Sequence, residues 1–178
     1  YSESIMDKLL SKQVKDKDDN RTSSSKSISD IIKEQWEIFS IYTKLKNIEL
    51  IEEGTDVPAG TLSYLIQIIA NNLISNSIKY TKSGVIAFST QVEKKTLHMH
   101  ISDTGSGYTS QQIASFNSPT DQTKDKPSLK KKSNASGYGK GLSILRNLII
   151  QEGGTIIIGN NTPDPGSHVI ITLPYSND

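Results

Sequence analysis

Apolar residues at Ile28, Ile31, Ile32, Trp36 and Phe39, with polar Gln35 among them, follow a helical period, and Ser27 or Ser29 can cap its start. The spacing predicts a helix to about Lys46, a short strand over Ile48–Ile51, and a turn or loop over 52–58. A second helix, from about Leu62 to Tyr80, is heavily apolar through Leu65, Ile66, Ile68, Ile69, Leu73, Ile74 and Ile78, and Lys82-Ser-Gly ends it. Strands are predicted over Val85–Gln91 and Thr96–Asp103, joined through Val-Glu-Lys-Lys as a hairpin. A further helix opens at Gly141 and closes at Gly153-Gly154, and strands Thr155–Gly159 and His168–Leu173 finish the chain around a polar loop. Adjacent strands favour antiparallel pairing. The expected fold is therefore α+β: a two-layer α/β sandwich with a mixed, mostly antiparallel sheet and helices on one face.

Two stretches lack either period. Residues 11–27 hold one apolar residue, Val14, and read as a flexible linker. Residues 117–136 carry five Lys against two Asp, and a polar stretch of that length inside a compact domain is a functional lid or a disordered insert. Ahead of the linker, Ile5 over Leu9 and Met6 over Leu10 make an apolar stripe too short for a stable isolated helix. It is either frayed or the tail of a longer helix, and an opening in mid-pattern at Tyr1 suggests a piece of something longer. The boundary between this appendage and the domain is placed between residues 27 and 28.

Composition narrows the function classes. With 20 basic against 19 acidic residues and a net charge of +1, the 178-residue chain has no overall electrostatic pull toward nucleic acid or anionic lipid. The absence of Cys excludes disulfides, thiolate metal sites and thiol nucleophiles. No apolar run approaches the roughly 18 residues that span a bilayer, so no membrane contact is expected of this segment.

Polar residues inside the apolar elements carry the chemistry. On the long helix, Asn72, Asn76 and Lys79 continue the stripe of Leu65, Ile68 and Ile69. Buried amides need partners, so either they bind something or the helix emerges into solvent at this end. In the strand 96–103, Leu97, Met99 and Ile101 alternate with His98, His100 and Ser102, which places Asp103 next in the core-facing row. Asp103 then leads into Thr-Gly105-Ser-Gly107, which is either an ordinary turn or a place where backbone must pass closely. His98 and His100 fall on the outer face with no further metal ligand apparent, and His168 has no visible partner. Gly137-Tyr-Gly139-Lys140-Gly141-Leu142-Ser143 precedes a helix, and its free N–H groups could face an anion. Alternatively, the glycines merely end a flexible loop.

The ordered series Asn72…Asn76…Lys79-Tyr80-Thr81, Asp103…Gly105…Gly107 and Gly137…Gly141-Leu142 resembles the N, G1 and G2 boxes of the catalytic ATP-binding domain of sensor histidine kinases. Those kinases share a superfamily with gyrase, heat-shock chaperones and mismatch-repair ATPases. The resemblance covers roughly residues 28–178, and residues 1–10 look like the end of the dimerisation and phosphotransfer hairpin that precedes the domain. It implies that Asn76 holds Mg²⁺ on the ATP phosphates, with Asn72 supporting the metal site. Lys79 would touch phosphate, Tyr80 would lie against adenine, and Asp103 would accept from the adenine amino group. Gly105 and Gly107 would let the backbone pass the nucleotide. Gly137, Gly139 and Gly141 would hinge a lid and offer N–H groups to the phosphates, with Leu142 completing that stretch. Lys140, Tyr108 and Tyr138 depart from the commoner residue types, and Lys140 either adds a phosphate contact or points to solvent. Phe116–Pro119 follows the family's F box only loosely.

The resemblance also bears on the reaction. In the gyrase-like branch a Glu stands where Asn72 is, and an amide cannot serve as a general base for water. The implied activity is protein-histidine kinase: ATP-Mg donates its γ-phosphoryl group to a His outside this chain, for relay to a response-regulator Asp. The implied partners are the upstream hairpin, a receiver domain and, in the full-length protein, a second copy of the chain. The implied location is the cytoplasmic side of a membrane-anchored sensor. The alternatives are a degenerate nucleotide-binding regulatory module, and a stand-alone serine kinase or mechanical ATPase of the same superfamily.

Overall fold

The computed structural model describes residues 26–54, 56–118 and 140–176. The stripe at 1–10, the linker up to residue 25, most of the polar stretch at 117–136, and Gly137, Tyr138 and Gly139 lie outside the described residues.

Helix α1 (Ile28–Ile38) starts at a capping box in which the Ser27 hydroxyl accepts from the Asp30 amide and the Asp30 carboxylate accepts from the Ser27 amide. The expected single helix to Lys46 is broken at Phe39 and resumes as α2 (Ser40–Lys46), which ends on left-handed Asn47. Ile28, Ile31 and Ile32 are buried as expected. Gln35 is buried too, and its Oε1 accepts from Asn71 Nδ2 at 3.1 Å, so its polarity is satisfied inside the helix pair.

The sheet runs β1-β2-β3-β5-β4, where β1 is Ile48–Gly54, β2 Gly84–Glu93, β3 Thr96–Asp103, β4 Thr155–Asn160 and β5 Ser167–Pro174. β1 pairs with β2 in parallel, and every other pairing is antiparallel, so the mixed, mostly antiparallel sheet stands. The β2–β3 turn is tighter than the sequence suggests. It consists of Lys94 and Lys95, both at positive φ, the geometry whose twist matches a two-residue hairpin.

One sheet face is the core. Ile86 and Phe88 of β2, Leu97, Met99 and Ile101 of β3, and Val169, Ile171 and Leu173 of β5 are all buried. Against this face lie α3 (Ser63–Tyr80) and α5 (Lys140–Gln151), with α1 packed on α3. Each fully buried aliphatic or aromatic side chain contributes about 1.5–3 kcal/mol relative to exposure. The sandwich is therefore centred on Ile66, Ile69, Ile74, Phe88 and Met99, none more than 1% exposed.

The sequence pattern gave no sign of α4 (Ser110–Asn117), a short helix with its own capping box between Thr109 and Gln112. It buries Phe116 beneath the Arg146 guanidinium of α5, 5.1 Å from the ring centre. Its last residue, Asn117, lies against β4: Nδ2 donates to the Ile158 carbonyl at 2.8 Å and Oδ1 accepts from the Ile158 amide at 3.0 Å.

Candidate nucleotide site

Helix α3 does not emerge into solvent at its polar half. Asn72 is 3% exposed and Ile78, six residues on, is still buried. The Asn76 Nδ2 donates to Asn72 Oδ1 at 3.1 Å, so the two amides form a ladder along the helix. That pairing leaves Asn76 Oδ1 as an acceptor that no described protein donor occupies. Asn72 is backed by the start of α5: a Cβ on Gly141 would stand 2.8 Å from Asn72 Nδ2 and push that amide aside. Leu142, the next residue, is buried in the core, and Lys140 opens the helix.

Asp103 ends the inward row of β3, 7% exposed, as the alternation predicts. Its Oδ1 accepts from the Gly105 amide at 2.9 Å and the Ser167 amide at 3.3 Å. Its Oδ2 accepts from the Ser77 hydroxyl at 3.1 Å and the Ser167 hydroxyl at 2.8 Å. Gly105 is crowded by the Asp103 carboxylate, the Tyr80 carbonyl and the Thr81 hydroxyl, all within 2.9 Å of where a Cβ would sit. Thr81 Oγ1 is buried without a hydrogen-bond partner among the described residues, beside that same carboxylate.

A narrow cavity opens above Asp103, lined by Asn76, Ser77 and Tyr80 of α3, Tyr108, and Ser167 of β5, with Leu73, Ile101 and Val169 as its apolar walls. Its room for water centres is about 20 Å³, enough for one or two waters. Tyr80 stands at the rim, 44% exposed, with the Lys79 ammonium 5.1 Å from its ring centre. Lys79 itself is exposed and does not line the cavity.

The loop after Asp103 is fixed from the far edge of the sheet. Gly107 has φ +72 and lies against the Asn160 side chain. The Tyr108 amide donates to Asn160 Oδ1 and its carbonyl accepts from Asn160 Nδ2, both at 2.7 Å. Asn161 Nδ2 donates to the Asp103 carbonyl at 3.0 Å. Burial, and then the negative charge of Asp103, push the Tyr108 phenol above the ordinary tyrosine value, while a hydrogen bond with Ser167 pulls it back.

Asn76, Tyr80, Asp103 and Gly107 thus line one pocket, with Gly105 bonded to Asp103, Asn72 bonded to Asn76, and Gly141 against Asn72 behind them. Sequence reasoning missed Ser77, Ser167 and Asn160, and it noted Tyr108 only as a departure. The alternation Ser167, Val169, Ile171, Leu173 could have exposed Ser167 as inward-facing; nothing comparable marks Asn160. The histidines stay on the outer face as expected for His98 and His100. His168, however, has partners: Nδ1 lies 3.3 Å from Asn161 Oδ1, and its ring centre is 5.7 Å from that of His100. No group of three or more His, Cys, Asp or Glu residues that could hold a metal occurs among the described residues.

A helix-backed mixed sheet with a buried Asp at a strand end, stacked amides on the facing helix and a glycine at the next helix start makes an α/β sandwich with a polar pocket between its layers. Residues 62–177 match the family described as histidine kinase-, DNA gyrase B- and HSP90-like ATPase, and the chain belongs to it. The chain is 31% identical over 138 residues to the sensor histidine kinase AtsR of Burkholderia thailandensis, covering 75% of this chain and 22% of AtsR. It is 29% identical over 155 residues to the sensor protein GacS of Pseudomonas syringae, covering 83% of this chain and 16% of GacS. It therefore spans about a fifth of the length of these relatives. The catalytic domain of histidine kinase ThkA, nucleotide-free, superposes with a TM-score of 0.63 at 21% identity, over 84% of this chain and 93% of that one. Acinetobacter baumannii histidine kinase AdeS gives 0.65 at 18% identity, over 99% and 87%. These two likenesses show the shared fold. The domain is an ATP-binding catalytic domain of the sensor histidine kinase kind.

Proposed function

We propose that this domain holds ATP with its base over Asp103 and its phosphates between Asn76 and the start of α5, and donates the γ-phosphoryl group to a histidine on another segment of the full-length protein. The observation that supports this reading is that Asp103 of β3 and Asn76 of α3 line one cavity, while Gly141 of α5 lies against Asn72, the amide that holds Asn76. Asp103, as the acceptor at the pocket floor, suits an amino group on the base. Tyr80 at the rim offers a ring face to it. Lys79, exposed beside Tyr80, has the reach and charge to meet phosphate oxygens. Gly137, Gly139, Lys140, Gly141 and Leu142 would supply backbone N–H groups at the start of α5, where the helix dipole favours anions.

Mg²⁺ fits the donor set. A hard cation of this kind takes oxygen ligands, commonly one or two from protein with the rest from phosphate and water. The unshared Asn76 Oδ1 is such an oxygen, and Asn72 orients it by holding the amide nitrogen. When bound, the ion would neutralise charge on the phosphates during transfer. Asn72 stands where hydrolytic members of the resemblance carry a Glu, and its amide offers no proton acceptor to activate water. The site accordingly favours transfer over hydrolysis.

The receiving His is proposed to lie on a dimerisation hairpin preceding residue 28, of which residues 1–10 would be the end. A second copy of the chain would form the dimer, and a response-regulator receiver domain would take the phosphoryl group onward. A cytoplasmic position in a membrane-anchored sensor belongs to the same reading; no helix among the described residues is long and apolar enough to cross a membrane.

Calorimetric titration of the chain with a non-hydrolysable ATP analogue, with and without Mg²⁺, tests the site. Micromolar binding strengthened by Mg²⁺ is expected. Asn76→Ala should remove the Mg²⁺ enhancement while leaving metal-free binding nearly intact. Mg²⁺ enhancement that survives Asn76→Ala would mean the metal is held elsewhere, and no binding by the unaltered chain would refute the reading.

A further inference from the structure

Helix α3, which carries Asn72, Asn76, Lys79 and Tyr80, stops at Tyr80, and the chain is extended from Thr81. The last carbonyls of a helix lack donors of their own and need partners from elsewhere. At this end the Ser77 carbonyl accepts from the Thr81 amide at 2.9 Å, and the Tyr80 carbonyl from the Ser106 amide at 3.3 Å. The Ile78 and Thr81 carbonyls share one donor: the Lys46 ammonium lies 2.5 Å from the first and 3.1 Å from the second. A cation there also meets the negative pole of the helix dipole.

Lys46 reaches this point from 32 residues earlier, as the last residue of α2. It is anchored where it stands, because the next carbonyl, that of Asn47, accepts from the Gly84 amide at 3.1 Å. Lys46 is half-buried, and no carboxylate pairs with its ammonium among the described residues. It does not line the cavity. What it grips is the turn of backbone from Ile78 to Thr81, which bears Lys79 and Tyr80. Lys79 has a flexible stem and can follow a phosphate if that turn shifts. A ring face must be aimed, so Tyr80 is the residue that depends on the grip. One turn upstream, Asn76 is held by Asn72 within the helix, a bond that Lys46 does not touch.

We propose that Lys46 is a positioning residue for base binding: by clamping the Ile78 and Thr81 carbonyls it fixes the last turn of α3 and aims the Tyr80 ring at the base. The metal-bearing turn at Asn76 keeps its own amide ladder and is independent of it. This inference rests on the nucleotide-site reading above and adds a residue outside the pocket that acts on it through Tyr80.

The test is calorimetric titration with a non-hydrolysable ATP analogue, with and without Mg²⁺. Lys46→Met keeps most of the stem and removes the ammonium; Lys46→Arg restores a cation with several donors. Affinity should fall about two- to tenfold in Lys46→Met, the range that an aromatic contact is worth, and Lys46→Arg should recover most of it. The factor by which Mg²⁺ strengthens binding should stay the same. In a Tyr80→Ala background, Lys46→Met should change affinity by less than about twofold. Circular dichroism fixes a temperature at which every variant is folded, and if Lys46→Met does not fold, Lys46→Gln, with one amide donor, replaces it with the same expectations. A variant that melts earlier yet binds with the parent's affinity would make Lys46 a helix cap alone and overturn the proposal. An equal further fall in the Tyr80→Ala background, or a smaller Mg²⁺ enhancement, would overturn it as well. If the unaltered chain binds the analogue in an Asp103-dependent way, such a result removes this inference alone. If it binds no nucleotide, the nucleotide-site reading falls and this inference falls with it.

Discussion

Replacing Asp103 separates the structural and recognition roles of one carboxylate. In Asp103→Ala, four donors lose their acceptor. Two of them are hydroxyls, of Ser77 and Ser167, that can turn about a single bond toward another acceptor or water. The amides of Gly105 and Ser167 cannot turn, and a buried unsatisfied N–H costs about 1–3 kcal/mol. Allowing for some entry of water, the expected loss is about 2–4 kcal/mol. In a domain of this size each kcal/mol moves Tm by about 2–4 °C, so a fall of roughly 6–12 °C is expected for a mid-range loss. Asp103→Asn keeps an oxygen for the two amides and turns an NH₂ toward the two hydroxyls, which can accept, so its loss should be about 1 kcal/mol. Urea unfolding of the three proteins, followed by far-ultraviolet circular dichroism, gives both differences. Both variants should lose adenine binding, since neither offers a carboxylate to the amino group. An Asp103→Ala protein within about 0.5 kcal/mol of the parent would show that the four hydrogen bonds carry no net stability. Equal losses in Ala and Asn would show that charge, not acceptor geometry, is what the pocket floor needs.

Gly166 has φ +115, and a Cβ there would fall 1.7 Å from the Asp103 carbonyl oxygen; Gly166→Ala should cost more than about 4 kcal/mol, and a folded variant with the parent's urea midpoint would contradict this. Asn160→Ala removes both hydrogen bonds that hold Tyr108; about 1–2 kcal/mol should be lost, together with some nucleotide affinity, measurable by urea unfolding and calorimetry. His100 is held below its ordinary value of 6.5, first by burial and then by His168. The unfolded chain therefore takes up that proton first, so His100's contribution is intact above about pH 6.5 and is lost as pH falls below it. His100→Gln should flatten Tm against pH in that range, and an unchanged slope would exclude His100 as its source.

The legible parts of this chain were those where one face is buried. Alternation in β3 located Asp103 at the end of an inward row because period-two burial continues to the last residue of a strand. The Asn72 and Asn76 positions were legible because amides within an apolar stripe conflict with their surroundings. The break at Phe39 was not, because the apolar period runs through it, and neither was α4, whose Phe116 is the only buried residue of its eight. Asn160 and Ser77 escaped for a different reason: their roles come from contacts 52 and 26 residues away in sequence, which no local pattern records.

The Asn117 pairing with Ile158 also bears on how the domain behaves among other copies of itself. β4 is an edge strand, and an edge with open N–H and C=O groups is a template for strand addition. At Ile158 both groups are already engaged by an amide side chain that imitates the next strand. The opposite edge, β1, has no such plug among the described residues, but it carries Glu49, Glu52 and Glu53 along its seven residues. One edge of the sheet is therefore capped at Ile158 by hydrogen bonding and the other is guarded by charge, so added salt would weaken the protection of β1 while leaving that at Ile158 in place.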